Sequence, residues 1–168
     1  MHHKQTLHDD YQQIDSADLS NKANAKQRMA ADPMHSVWVG ASAGTGKTKV
    51  LTDRVLRLLL PRPGLEADSA TAPDKILCIT FTKAAAAEMA ERISKKLGQW
   101  AIMSDQTLSD DLTKLLDMVP NDITMTAARQ LFAKVVDVAG GMKIMTIHSF
   151  CQSVLKRFPV EAGLPPHF

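Results

Sequence analysis

The sequence has few cysteines and no long apolar run, and each shortage excludes a class of protein. The two cysteines, Cys78 and Cys151, fit neither a disulfide framework nor a zinc site in number or spacing. We interpret both as free thiols in a reducing cytosol and expect a cytoplasmic protein. Because no run of about 18 apolar residues occurs, we expect no membrane-spanning helix and no membrane partner. The N-terminus also lacks the apolar core of a secretory signal.

Charge and length leave the functional class open. The formal net charge is +2 over 168 residues, which neither requires nor excludes nucleic acid, because a local basic groove can exist within a balanced total. That length suffices for one domain with a hydrophobic core. Residues 1–22 are polar and aperiodic, so we predict a flexible tail there and a folded domain over 23–168.

The stretch over 41–48 carries the most specific chemistry in the sequence. It reads ASAGTGKT, the pattern of a phosphate-binding loop, with alanine where the first glycine usually stands. Small residues let successive backbone N–H groups curl round an anion, and the positive end of the following helix points to the same place. We expect Lys47 to reach the β- and γ-phosphates of a nucleotide and the Thr48 hydroxyl to bind Mg²⁺. The predicted nucleotide-binding residues are Ala41, Ser42, Ala43, Gly44, Thr45, Gly46, Lys47 and Thr48.

The residues on both sides of this loop support that interpretation. Val37–Val39 predicts a strand before it. Aliphatic residues at helical spacing predict a helix after it, with Leu51 on the apolar side, Arg54 largely on the other side and Pro61 at the end. The alternative is a glycine-rich turn with a surface lysine, which the strand–loop–helix context makes the weaker interpretation.

Two further apolar runs, Lys75–Phe81 and Lys143–Ile147, predict strands. The first is nearly continuous in apolar residues, so we expect it to be buried on both faces of a parallel sheet. Helical spacing predicts helices over 24–33, 84–100, 108–119, 126–139 and 148–158. The apolar stripe of the helix over 84–100 is expected to comprise Ala86, Met89, Ala90, Ile93, Leu97 and Trp100. This order predicts an α/β domain with a parallel sheet, in which the two helices over 108–139 are inserted packing elements.

Polar side chains follow both of these predicted strands. The carboxyl ends of parallel strands meet at one edge of a sheet, so we expect both segments to converge there with the phosphate-binding loop. Hydroxyls, an imidazole, an ammonium group and an aromatic ring suit phosphate contacts and base stacking on a single strand. For Phe81 a core aromatic is the alternative, and for His148 a capping or core histidine. The candidate nucleic-acid contacts are Thr80, Phe81, Thr82, Lys83, His148 and Ser149.

Gln27 lies upstream of the phosphate-binding loop, within the first predicted helix. A glutamine amide both donates and accepts hydrogen bonds, which matches the N6 and N7 edge of adenine. A solvated helix position is the alternative interpretation for this residue.

These strings resemble the motifs of superfamily 1 DNA helicases of the UvrD/Rep type. ASAGTGKT resembles motif I, ITFTKAAAAEM over 79–89 resembles motif Ia, and TIHSFC over 146–151 resembles motif Ib. Gln27 falls where that family places its adenine-reading glutamine. The fuller strings look most like the AddA-type chains of helicase–nucleases, and the resemblance runs from Ala23 to the C-terminus.

The resemblance implies a RecA-like P-loop NTPase domain, ATP and Mg²⁺ as cofactors, and Lys47 as the catalytic lysine. It implies ATP-driven movement along single-stranded DNA in double-strand break repair, and its implied partners are double-stranded DNA and an AddB-like subunit. This sequence departs from the motifs of that helicase family in two places. Lys83 stands where many relatives have asparagine, and motif II, an apolar strand ending in Asp-Glu, is absent. The nearest string, Val135–Asp137, belongs to a predicted helix. We therefore expect a domain that is incomplete at its C-terminus and inactive as a motor by itself.

Three alternatives stay open at this point. The first is a non-catalytic nucleotide-binding module that regulates a partner. The second is a truncated gene product without function, and the third is another P-loop enzyme such as a small-molecule kinase. The kinase alternative leaves the second and third motifs unexplained.

Overall fold

A computed structural model describes residues 22–40, 42, 44, 46–62 and 69–165. Some of the predicted features fall on other residues and therefore lie outside the described part of the chain. These are the tail up to residue 21, loop positions Ala41, Ala43 and Thr45, and the centre of the loop after Pro61. Among the described residues, no helix is long and apolar enough to cross a lipid bilayer.

The described residues form α-helices and a short parallel sheet, as the order of predicted elements indicated. Their bounds are α1 over 22–30, α2 Lys47–Leu59, β1 Leu77–Thr80, α3 Lys83–Ile102, α4 Asp105–Leu116, α5 Asp122–Val136, β2 Lys143–Thr146 and α6 Ile147–Arg157. The chain divides into two compact units, one up to Arg54 and one from Val55.

Polar caps fix where four of the helices begin. The side chains of Thr82, Ser104, Asn121 and Thr146 each accept a hydrogen bond from a backbone N–H in the first turn of α3, α4, α5 and α6. Such a cap satisfies one of the donors that a helix N-terminus leaves unpaired. The predicted starts of α4 and α5 were three to four residues too late, because apolar periodicity begins inside a helix whereas its cap sets the first turn.

One apolar core organises the second unit. Its side chains come from the end of α2, the residue before β1, and α3, α4 and α5. Its largest fully buried members are Trp100, Leu56, Leu59, Leu60, Ile93, Leu97, Leu108 and Leu112. The stripe predicted for α3 is largely correct: Ala86, Met89, Ile93, Leu97 and Trp100 are buried, whereas Ala90 is exposed. Because α3 contacts both α5 and the two strands, it holds the sheet against the core.

The sheet of the second unit contains β1 and β2 in parallel, with Leu77 opposite Lys143 and Thr80 opposite Thr146. One face packs against the core through Cys78 and Ile144. On the other face Leu77 and Ile79 are 42% and 47% exposed. The prediction that this strand is buried on both faces was therefore wrong for the described structure, because the core covers one face.

The first unit contains α1, the beginning of α2 and the segment over 36–40. The prediction of a strand over Val37–Val39 was wrong for the described structure, in which residues 36–40 have no regular secondary structure. A strand needs a neighbour for its N–H and C=O groups, and the described sheet contains β1 and β2 alone. Trp38 is 97% exposed, and Leu51 of α2 is exposed although it was predicted to be apolar and inward-facing. Val50, the residue before Leu51 in α2, is buried instead.

Candidate nucleotide site and nucleic-acid interface

The phosphate-binding loop of the first unit has the backbone that its glycines permit. Gly44 and Gly46 have φ angles of 80° and 87°, a left-handed conformation that residues with a Cβ rarely adopt. The helix α2 begins directly after them at Lys47. The Lys47 Nζ donates a hydrogen bond to the backbone oxygen of Ser42 at 2.5 Å. The lysine ammonium therefore lies over the loop, beside the N-terminal end of α2.

Gln27 is brought to this loop from α1. A Cβ built on Gly46 would lie 3.0 Å from the Gln27 Nε2 atom. The side-chain amide that was predicted to read adenine is thus adjacent to the loop predicted to hold the phosphates. Gln27 is half-buried next to the loop, and its role as an adenine-reading residue stays a prediction.

Arg54 is a component of this unit that the sequence interpretation missed. Its guanidinium Nη1 donates to the backbone oxygens of Ala30 at 3.3 Å and Asp32 at 2.5 Å. Its Nη2 donates to the backbone oxygen of His35 at 2.7 Å. The sequence interpretation placed Arg54 opposite the apolar side of α2 and assigned it no partner, whereas in the structure it is half-buried and binds these three backbone oxygens. Helical spacing assigned it to the polar side of α2, and spacing carries no information about the carbonyl groups that another segment presents there.

Few side chains near the predicted phosphate-binding loop could act as ligands for a metal ion. Thr48 lies in the first turn of α2 with an exposed side chain, and that turn contains no acidic residue. Within the part of the chain that the structure describes, no group of three or more His, Cys, Asp and Glu side chains could hold a metal. Mg²⁺ typically takes one or two protein ligands and completes its shell with phosphate oxygens and water. The Thr48 hydroxyl fits that mode as one ligand.

A second candidate region lies at the carboxyl ends of β1 and β2 in the second unit. Thr80 is paired with Thr146, and both strands run into the N-termini of helices, α3 and α6. Thr82 caps α3 and Thr146 caps α6, while the Thr80 hydroxyl donates to the backbone oxygen of Thr82 at 2.9 Å. Neither helix has an acidic residue in its first turn. Two positive helix ends therefore open at one edge of the sheet without an adjacent carboxylate on the same turn.

The side chains predicted to bind nucleic acid at this edge are available on the surface. Phe81 is 91% exposed, so the core-aromatic alternative is wrong. His148 is exposed and lies after the cap Thr146, so it is neither a core residue nor the capping residue. Lys83 is exposed as the first residue of α3. Ser149 donates its backbone N–H to the Thr146 hydroxyl at 3.2 Å. The convergence of this edge with the phosphate-binding loop stays a prediction.

A glycine-rich loop that opens a helix, and capped helix N-termini at the carboxyl ends of parallel strands, are features of α/β proteins that bind phosphorylated ligands. The chain belongs to the UvrD/REP helicase N-terminal domain family, whose match covers residues 23–168. The resemblance to UvrD/Rep-type helicases that the motifs indicated is thereby confirmed.

The chain is also similar to curated ATP-dependent helicase/nuclease proteins of the AddA type. It is 35% identical to the protein of Lactobacillus gasseri over 150 residues, 89% of this chain and 10% of the relative. It is 39% identical to that of Lactobacillus johnsonii over 132 residues, 79% of this chain and 8% of the relative. For Clostridium kluyveri the identity is 36% over 136 residues, 81% of this chain and 9% of the relative. The chain thus spans about a tenth of the length of these relatives.

Proposed function

We propose that this chain is the N-terminal ATP-binding segment of an ATP-dependent DNA helicase of the AddA type. In this proposal residues 23–168 form part of a RecA-like P-loop domain. The full-length helicase would move along single-stranded DNA during double-strand break repair, together with an AddB-like subunit. The observation that carries the proposal is the position of Gln27 beside Gly46, at the N-terminus of α2. Membership of the helicase family supports it.

The nucleotide fits the residues of the first unit. The glycine-based turn at Gly44 and Gly46 leaves room for backbone N–H groups to approach phosphate oxygens. Lys47 supplies a positive charge at the same end of α2, and the Thr48 hydroxyl would hold Mg²⁺ there, which when bound neutralises phosphate charge. Gln27 would then accept from and donate to the adenine edge. Ala41, Ser42, Ala43 and Thr45 complete the proposed loop.

The edge formed by the ends of β1 and β2 would bind the DNA strand. Phe81 offers an exposed ring for stacking on a base. The hydroxyls of Thr80, Thr82 and Ser149 and the positive N-terminal ends of the two helices suit phosphate oxygens. Lys83 replaces the asparagine found in many relatives, so its contact with DNA is proposed as a charge contact rather than a specific hydrogen bond. His148, exposed in the first turn of α6, completes this surface.

We propose further that residues 1–168 do not form a motor by themselves. Hydrolysis needs an acidic residue that holds Mg²⁺ and a carboxylate that positions water. The nearest sequence, Val135–Asp137, ends α5, and Asp137 is the C-cap of that helix, not the end of a strand. A strong DNA-stimulated ATPase activity of the 168-residue polypeptide, lost in Lys47→Ala, would disprove this part of the proposal.

Equilibrium dialysis of ATP against the intact protein tests the nucleotide site. Lys47→Ala is expected to weaken ATP binding by at least about tenfold, because it removes a charge-assisted contact. Lys95→Ala is the matched control, since it removes an exposed lysine from α3 in the second unit. Equal ATP affinity of the Lys47 and Lys95 variants would reject the site.

The salt dependence of DNA binding tests the second region. Lys83→Ala is expected to lower the slope of log K against log salt by about 0.7 on a single-stranded oligonucleotide, the value of one phosphate contact. Lys95→Ala again serves as the control and should leave the slope unchanged. An unchanged slope in Lys83→Ala would remove Lys83 from the proposed DNA surface.

A further inference from the structure

We propose that Arg54 is a positioning residue that sets the distance between the adenine-reading Gln27 and the phosphate-binding loop. This inference rests on the proposed function, because it assigns Arg54 a role in nucleotide selection at the same site. Arg54 acts through its hydrogen bonds to the backbone at the end of α1 and in the turn after it.

The three acceptors of Arg54 lie at the C-terminal end of α1 and in the turn after it. They are the backbone oxygens of Ala30, Asp32 and His35. The last carbonyl groups of a helix have no partner within the helix, so a guanidinium that binds them both satisfies them and fixes the helix end. The planar fork of arginine can reach several acceptors with little further loss of freedom.

The turn that Arg54 holds is itself well ordered by local hydrogen bonds. The Asp32 carboxylate accepts from the Met34 backbone N–H at 2.9 Å and lies 3.0 Å from the His35 Nδ1. Ala31, which is buried, donates its N–H to the Gln27 backbone oxygen at 3.0 Å. The end of α1 that Arg54 binds is therefore connected to Gln27 by one helical turn, which the hydrogen bond from the Ala31 N–H to the Gln27 backbone oxygen closes.

Arg54, which binds the end of α1, belongs to α2. Arg54 lies seven residues after Lys47 on the same helix, which is about 10 Å along its axis. Helix α2 thus carries Lys47 at its start and, two turns later, Arg54, which binds the end of α1. Gln27 is kept beside Gly46 by this connection, and Gln27 is the group that distinguishes adenine from other bases in the proposal. Arg54 is expected to affect base selection rather than phosphate affinity.

Competition binding on the intact protein tests this role, with ATP, GTP and inorganic tripolyphosphate as the probes. Arg54→Ala is expected to lose about tenfold in ATP affinity, the value of one good hydrogen bond to the base. GTP and tripolyphosphate affinities should change less than about twofold, within the effect of an ordinary surface substitution. Gln27→Ala should show the same pattern. When Arg54→Ala is combined with Gln27→Ala, it should add little to the loss of ATP affinity, because the effects of two residues that act as one unit are not additive.

Arg92→Ala is the matched control, because Arg92 pairs with Glu88 on the surface of α3. It should leave all three affinities unchanged. Arg54→Lys keeps the positive charge but replaces the fork by a compact ammonium, so it should also lose most of the preference for ATP. If Arg54→Ala does not fold, as judged by thermal melting, the result for Arg54→Lys decides.

The outcomes separate this inference from the proposed function. Equal losses of ATP, GTP and tripolyphosphate in the Arg54 variants, or additive losses with Gln27→Ala, would overturn the positioning role while leaving the nucleotide site intact. The same is true if the intact protein binds nucleotides through Lys47 but does not prefer ATP to GTP. If the protein binds no nucleotide, or binds it equally well in Lys47→Ala, the proposed function and this inference both fail.

Discussion

Thr80 and Thr146 are paired in register at the carboxyl ends of the two parallel strands, and a helix begins within three residues of each. Thr146 caps α6 directly, whereas the Thr80 hydroxyl binds the backbone of Thr82, which caps α3. Two segments far apart in the sequence thereby present their first helical turns at one edge. Phe81 projects from this edge with 91% of its surface exposed.

Phe81→Ala should weaken binding to a labelled oligothymidylate by about 5- to 150-fold. Stacking of one base on an aromatic ring contributes about 1–3 kcal/mol. The free energy of unfolding should change by less than about 0.5 kcal/mol, because the ring is on the surface. Fluorescence anisotropy measures the first quantity and denaturant titration the second. Ile102→Ala is the control, since Ile102 is another exposed apolar residue at the opposite end of α3. Equal affinities of the two variants would exclude stacking at Phe81.

Gly46→Ala should lower ATP affinity by about tenfold or more. Alanine is strained at a φ of 87°, at a cost of roughly 1–2 kcal/mol, and its Cβ would lie 3.0 Å from the Gln27 amide. Isothermal titration with ATP measures the change. Gly40→Ala is the control: no described atom lies within 4 Å of a Cβ built at Gly40, so its affinity should match the wild type. A Gly46→Ala protein that binds ATP normally would contradict the loop geometry.

Asp111→Ala should destabilise the second unit by about 1–3 kcal/mol. The Asp111 carboxylate accepts hydrogen bonds from the Trp100 indole Nε1 at 2.5 Å and from Lys96 Nζ at 2.8 Å. Trp100 is fully buried, so removal of the acceptor leaves a buried N–H unpaired. Urea unfolding followed by tryptophan fluorescence measures the loss. Asp110→Ala, which removes an exposed carboxylate bonded to Gln106, should cost less than about 0.5 kcal/mol; similar losses in both variants would refute the assignment.

Cys78 should react with iodoacetamide more slowly in the folded chain than in urea, and its rate should reach half its maximum at a higher pH. Burial raises the pKa of the Cys78 thiol, and the thiolate is the reacting form. A raised pKa in the folded state also means that stability is lost as the pH rises through that value. Mass spectrometry of the labelled peptide gives the rate at each pH. Cys151, which is exposed, is the internal control for reagent access. Identical pH profiles of Cys78 with and without urea would contradict the shift.

Much of the secondary structure and the family were predictable because the signals are local. The apolar stripe of α3 repeats at helical spacing, and Ile93, Leu97 and Trp100 are buried where that spacing placed them. The string over 41–48 predicts a phosphate-binding loop by residue type and spacing alone. The positions where helices begin were less accurate, since a single cap such as Asn121 decides them.

The sequence by itself determined the motifs, the helices and the relationship to UvrD/REP helicases, because each depends on residues that are neighbours along the chain. Only the tertiary structure decided the exposure of Phe81, the open face of β1, the segment over 36–40 that pairs with no described strand, and the contacts of Arg54. These features depend on which distant segments supply carbonyl groups, apolar surface or a neighbouring strand. Periodicity records which side of an element is apolar, but it does not record what the fold places against that side.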